Sequence, residues 1–235
     1  MTKTRNLTSK INHINNEILS YTHKFEQHPI TKLCQARRIP RSVLDDFAKL
    51  QFIDSILWVP MLALIKGKVK SPRLAEAVRK NLLCEAGVDG IPHVTLCQEF
   101  SESLGIIPRY GDYNDFCKYA SHPVEVMMSL QDCSEPFIAG WLLAAETLVP
   151  TLFRIFKTAY ESIATVDFRY FNEHISVDSD EHSEWMREAV EELMMQSDCF
   201  EEIMFGVDMG GRIALSIPDV LFSKTIRLQK QANSY

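Results

Sequence analysis

The feature that most constrains this chain is the run from Pro136 to Leu152, PFIAGWLLAAETLVPTL, which is apolar almost throughout and carries one charge, Glu146, near its middle. A bilayer span needs about 20 such residues. A carboxylate at a bilayer centre is uncompensated, and the prolines at both ends suit a buried helix, so the run is expected in the core of a soluble protein rather than in a membrane. A carboxylate with no route to water needs a cation: a metal ion, or a buried ion pair to Arg154 or Lys157.

Apolar residues recur at helical spacing along nearly the whole sequence, and alternating patterns flanked by turn dipeptides are hard to find, so the expected class is all-α. The spacing predicts a first helix over about Leu7 to Glu26, ending before His28-Pro29. A second runs from near Pro40 to Lys66-Gly67-Lys68, and a third from Ser71-Pro72 to Glu85. Gly87-Val88-Asp89-Gly90 then makes a turn before Pro92 and His93 open a fourth helix that stops at Gly105. Short helices are expected over Asp112 to Gln131. The apolar helix follows from Pro136, with a kinked continuation past Pro150 to Tyr160. One long helix is expected from Phe168 to Met195 and another from Cys199 to Gln229, interrupted at Gly210-Gly211 and Pro218. No repeat or linker divides the 235 residues, so one domain over 1–235 is expected.

Charge and cysteine usage exclude several partners. The formal net charge is -6 and no block of Lys and Arg occurs, so nothing offers a footprint for a phosphate backbone, and nucleic acid is not expected. Cys34, Cys84, Cys97, Cys117, Cys133 and Cys199 contain no CxxC pair, and several fall in apolar helical patterns, where a free thiol acts as a small hydrophobe. With no apolar h-region near the N-terminus, the expected compartment is the reducing cytoplasm.

The densest group of chemistry-bearing residues is His174-Ile-Ser-Val-Asp178-Ser-Asp-Glu-His182. Steps of four place His174, Asp178 and His182 in a shallow stripe on one helix face. Imidazole and carboxylate together suit iron or manganese better than a structural zinc, which prefers thiolates. The alternative is a solvated acidic face built from Asp178, Asp180, Glu181 and Glu184. Three ligands complete half of a two-metal site. Glu85 and His93, flanking the glycine turn, and Glu146 are the candidates for the rest. His13, His23, His28 and His122 read as ordinary surface or core histidines.

Other scaffolds lack their signatures. A ferritin-like di-iron bundle needs a Glu-x-x-His from each of two helices, and the chain has no such motif. HExxH, GxSxG, Walker A and GxGxxG are also absent. Asp208-Met-Gly-Gly-Arg212 reads as a helix interruption.

From about His28 to Met195 the chain resembles the haem-oxygenase-like di-metal oxidases, which share their fold with TenA-type thiaminases and the pyrroloquinoline-quinone synthase PqqC. The resemblance is carried by His28-Pro29, Phe47-Ala48, Trp58-Val59-Pro60, Asn81-Leu-Leu-Cys-Glu85-Ala-Gly87 with His93, and Phe100 to Gly105. It continues through Ala145-Glu146-Thr-Leu-Val-Pro150 and Phe168-Arg-Tyr-Phe-Asn-Glu-His174 with Asp178 and His182. It implies a haem-oxygenase-like helical bundle in which Glu85, His93, Glu146, His174, Asp178 and His182 hold two iron ions. It further implies that dioxygen is the co-substrate in oxidising a small metabolite, an amino acid or derivative, by N-oxygenation, desaturation with C–C cleavage or conversion to a nitrile. An external electron donor and a homodimer are compatible with it. The glycine turn is one residue longer than in such relatives, and Asp178 to His182 is a step of four where three is common, so a locally distorted helix, or Asp180 in place of Asp178, is an allowed variant. A metal-free enzyme of the TenA or PqqC kind on the same scaffold and a non-catalytic helical interaction protein are the competing readings.

Overall fold

The computed structural model describes residues 2–88, 90–107, 109, 129–130, 132–177 and 181–232. Among these residues the chain forms nine helices and no strand: α1 (Thr2–Gln27), α2 (Pro29–Gln35), α3 (Arg41–Lys68), α4 (Pro72–Glu85), α5 (His93–Ser103), α6 (Glu135–Tyr160), α7 (Arg169–Val177), α8 (Ser183–Gln196) and α9 (Phe200–Ala232). The short helices expected over Asp112 to Gln131 lie outside the described residues, apart from 129–130.

Helix starts follow the local chemistry. His28, extended before Pro29, caps α2 by accepting the Ile30 N–H on Nδ1. Ser71 and Ser134 do the same for α4 and α6, each followed by a proline in the first turn, where its missing N–H costs nothing.

The apolar run becomes α6, and it is the axis of the bundle. It packs against α9 over the largest interface and also touches α1, α2, α3, α7 and α8. Leu142, Leu143, Leu148, Phe153 and Phe156 are buried, each contributing about 1.5–3 kcal/mol. α3 and α6 are both long and apolar enough to cross a membrane, but 67% of the α6 apolar window is covered by neighbouring helices, so packing accounts for its composition. The α6–α9 crossing is close because both backbones lack side chains at the contact. A Cβ on Gly140 would stand 2.1 Å from the Ile203 carbonyl oxygen, and one on Gly206 2.1 Å from that of Phe137.

One expectation about helix continuity is corrected. α9 runs unbroken through Gly210-Gly211 and Pro218, because those residues are buried in tertiary contacts that outweigh local propensity. As expected, α6 continues past Pro150 to Tyr160. Of the long helix expected from Phe168 to Met195, α7 and α8 are described, with a π-helical turn at Glu181–His182; residues 178–180 lie outside the described residues.

An aromatic block backs the region where α3, α5, α6 and α7 meet. Phe47 stacks on Phe156 with centroids 4.0 Å apart, and Phe171 lies edge-on to Phe100 at 5.0 Å. This rigid layer fixes the helices that carry the polar residues described next.

Candidate metal centre

The first pair of donors is set by a turn. α4 ends in a Schellman motif: Gly87, in the left-handed region at φ 69°, donates to the Cys84 carbonyl, and Val88 donates to that of Leu83. A Cβ at Gly87 would meet the Pro92 nitrogen at 2.3 Å. Only glycine therefore lets the chain fold back so tightly, and the result places His93 Nδ1 2.9 Å from Glu85 Oε2, both side chains buried.

His174 comes in from α7. Its Nδ1 stands 2.8 Å from the Tyr170 carbonyl oxygen one turn earlier. A carbonyl only accepts, so Nδ1 carries the proton and Nε2 is left as a lone pair. The Tyr170 hydroxyl is itself 2.9 Å from Ser55 Oγ and 3.4 Å from Gln51 Oε1. Phe153 stacks on the imidazole at 4.7 Å, and His93 lies 4.7 Å away on another side. Burial, reinforced by His93, pushes the His174 pKa down to about 3, so the ring is neutral at ordinary pH, the form that binds metals. One ligand atom from each of Glu85, His93 and His174 falls within 4.8 Å of the others.

Glu146 forms a second arm. It is 3% exposed, and Asn81 Nδ2 donates to its Oε1 at 2.5 Å while Oε2 lies 3.3 Å from His182 Nδ1. Neither cation considered from the sequence reaches it: Arg154 is exposed, and Lys157 donates to Asn172 Oδ1. His182 is wholly buried at the start of α8, against the Trp185 ring. Cys84 joins the two arms. Hydrogen bonds first to His182 and then to His93 bring its thiol down to about 7, so this cysteine is more than the small hydrophobe expected.

Five of the six residues singled out in the sequence are thus buried in one region. The sixth, Asp178, lies outside the described residues, as does Asp180. His174 lies in α7 and His182 at the start of α8.

Glu85, Glu146 and His174 also line a cavity of about 200 Å³ walled mainly by α3, α6, α7 and α9. Its walls are apolar, including Trp58, Trp141, Leu152 and Ile213, and Asp54 lies on the α3 side. Sequence reasoning passed over Asp54, although the signal matches that of Glu146: it is the one charge in the apolar stretch LQFIDSILWVPMLALI, residues 50–65. Asn81 entered only as part of a motif, and Tyr170 left no local signal.

The donor set fits a metal ion. Carboxylate oxygens and a neutral imidazole with a free Nε2 converge in a buried place, the mixed nitrogen and oxygen chemistry that iron and manganese accept. Asn81 Oδ1, buried beside the Glu146 arm, has no hydrogen-bond partner among the described residues. Donor atoms about 2.1 Å from one cation at right angles lie about 3 Å apart, close to the spacing of the Glu85–His93 pair.

Comparison with known proteins agrees with this chemistry. A crystal structure of a CADD-like protein of unknown function from Nostoc punctiforme superposes with a TM-score of 0.65 at 18% identity, covering 93% of this chain and 99% of that one. No curated protein matches. The all-helical architecture is the haem-oxygenase-like one. Residues 45–213 match the sequence model of a family described as iron-containing redox enzymes, which is most of the chain's length, and the chain belongs to that family.

Proposed function

We propose that this oxidoreductase is a dioxygen-dependent, non-haem di-iron enzyme that oxidises a small metabolite, an amino acid or a derivative of one. The proposed ligands are Glu85, His93 and His174 on one side and Glu146, His182 and Asp178 on the other. The observation that carries the proposal is the pairing of two buried carboxylates with imidazoles, His93 Nδ1 at 2.9 Å from Glu85 and His182 Nδ1 at 3.3 Å from Glu146. No lysine or arginine among the described residues is paired with either carboxylate. Buried carboxylates in such numbers call for compensating cations.

When bound, ferrous ions supply part of the electrons that full reduction of dioxygen takes, the rest coming from the substrate or from an external electron donor. The chain's own contribution is placement and exclusion. The Tyr170 carbonyl holds the proton of His174 on Nδ1 and so aims Nε2 inward, while Asn81 fixes the Glu146 carboxylate. The cavity gives a substrate apolar walls beside Glu85, Glu146 and His174, and an apolar body filling it displaces water from them. The proposed setting is the cytoplasm, supported by Cys34, Cys84, Cys97, Cys133 and Cys199 all standing as free thiols. A small molecule is the proposed partner, with neither nucleic acid nor membrane, and a homodimer is compatible.

The test is to load purified protein with ferrous iron under anaerobic conditions, remove the excess and count iron per chain. About two ions per chain are expected, and exposure to oxygen with candidate amino acids then gives a transient visible absorption that the substrate accelerates. Protein that keeps no iron above background overturns the proposal.

A further inference from the structure

The cavity beside the metal centre narrows the substrate class. α3 presents Gln51, Asp54, Ser55 and Trp58 at helical spacing along one stripe, all lining the cavity. Across from them Ala145, Gly210 and Ala214 supply little bulk, and that leaves the space open. Its volume of about 200 Å³ exceeds the roughly 150 Å³ that accommodates a benzene ring.

Most polar groups on the walls are already engaged. Ser55 and Gln51 meet the Tyr170 hydroxyl, and Glu85, Glu146 and His174 belong to the metal centre. Asp54 remains. Among the described residues its carboxyl has neither a hydrogen-bond donor nor a cation beside it, and no lysine or arginine lines the cavity. Burial alone pushes its pKa up to about 7. An unpaired acid in an apolar wall is costly to the fold, and the cost falls when a ligand brings the missing donor. A primary amine has the matching chemistry: its N–H groups satisfy both carboxyl oxygens and its charge cancels that of the carboxylate. A carboxylic acid beside Asp54 brings a like charge instead, and no lysine or arginine lines the wall to receive it.

We infer that the substrate is a small amine with an apolar body, its nitrogen held by Asp54 and its apolar part lying along Trp58 and Trp141 toward the metal centre. This rests on the cavity being the substrate chamber of the oxidoreductase proposed above. A simple fatty acid is not a substrate.

Ferrous-loaded protein kept free of oxygen is titrated separately with hexylamine, hexanoate and hexanol, followed by the fluorescence of Trp58 and Trp141, whose rings are 5.7 Å apart on the cavity wall. Iron is counted in the same samples. Hexylamine binds tightest, by about tenfold over hexanol, as expected of a charge-assisted hydrogen bond. Asp54→Asn removes that margin and Asp54→Glu retains part of it. Hexanoate or hexanol binding as tightly as hexylamine overturns the inference, and so does a margin that survives in Asp54→Asn. Should Asp54→Asn fail to fold, as read from its melting curve, the comparison of the three head groups on the unaltered protein decides by itself. Iron retained without an amine preference defeats this inference and leaves the proposed function standing. An amine preference in protein that holds no iron does the reverse.

Discussion

Asn81→Leu separates a metal ligand from a buried carboxylate that is merely structural. Asn81 is wholly buried and its amide donates at 2.5 Å to Glu146. Leucine fills a similar volume but leaves Oε1 without a donor. Losing a hydrogen bond to a buried charged group costs about 1.5–3 kcal/mol. The orphaned Asn81 Oδ1 disappears in the same change, which offsets part of that cost. A net loss of about 2 kcal/mol lowers the melting temperature of a chain this size by roughly 4–8 °C without metal. The informative quantity is the further shift on adding ferrous iron anaerobically. Unaltered protein in iron at about a hundred times its Kd gains about 2.7 kcal/mol per site. Removing a residue that orients a metal ligand weakens affinity by about 10–100-fold. The iron-linked gain in the variant then falls to about 0.4–1.4 kcal/mol. Differential scanning fluorimetry with and without iron reads both effects. If Asn81→Leu melts lower yet shows the full iron-induced shift, Glu146 is not a ligand and the second arm of the centre is wrong.

Further outcomes follow from the same geometry. Gly206→Ala puts a methyl group 2.1 Å from the Phe137 carbonyl oxygen and costs at least about 1–3 kcal/mol through overpacking. An unchanged melting temperature would show that the α6–α9 crossing is looser than described. Gly87→Ala places a side chain at φ 69° and 2.3 Å from the Pro92 nitrogen. It separates Glu85 from His93, so bound iron per chain falls even where circular dichroism shows the helices intact. The Asp54 carboxyl binds its proton more tightly folded, at about 7, than at its ordinary 3.8. The contribution of Asp54 to stability therefore falls as pH rises from about 4 to about 7, by at most about 4 kcal/mol. Relative to wild type, Asp54→Asn gains nothing below that window and most above it. Urea denaturation at acid and alkaline pH measures the difference, and a gain confined to acid pH contradicts the placement of Asp54.

What could be read from sequence was whatever announces itself locally. Glu146 stands out because a charge interrupts an apolar helix, and the Glu85–His93 pair because glycine and proline punctuate the turn between them. Tyr170 and Asn81 do not stand out, since their partners are 119 and 65 residues away in the chain and only the folded bundle brings them together. Asp54 was legible in principle. The α3 stretch reads as helical from its apolar spacing alone, and the one acid in it, Asp54, went unremarked. Around the π-helical turn at Glu181–His182 the sequence carries no proline or glycine, so nothing in it announces the turn. At Gly210-Gly211 and Pro218 the punctuation misled: all three are buried in α9, Gly210 against Trp141 and Ala144 of α6 and Gly211 against Tyr21 of α1.

The positions of the donors along their helices bear on how the centre is prepared for a cation. Glu85 is the last residue of α4 and His93 the first of α5. Helix C-termini favour positive charge and N-termini disfavour it, each by about 0.3–1 kcal/mol. A carboxylate at the end of α4 is therefore poorly placed alone, and its position improves when a cation binds there. The two ends meet across the Gly87 turn, which brings Glu85 and His93 together. Glu146 and His174 instead sit within α6 and α7, locked by Asn81 and the Tyr170 carbonyl. The centre thus combines two donors held inside helices with two at helix ends, of which the α4 C-terminus favours a nearby cation. Such an arrangement explains why acidic and imidazole side chains are buried together in a core that is otherwise apolar.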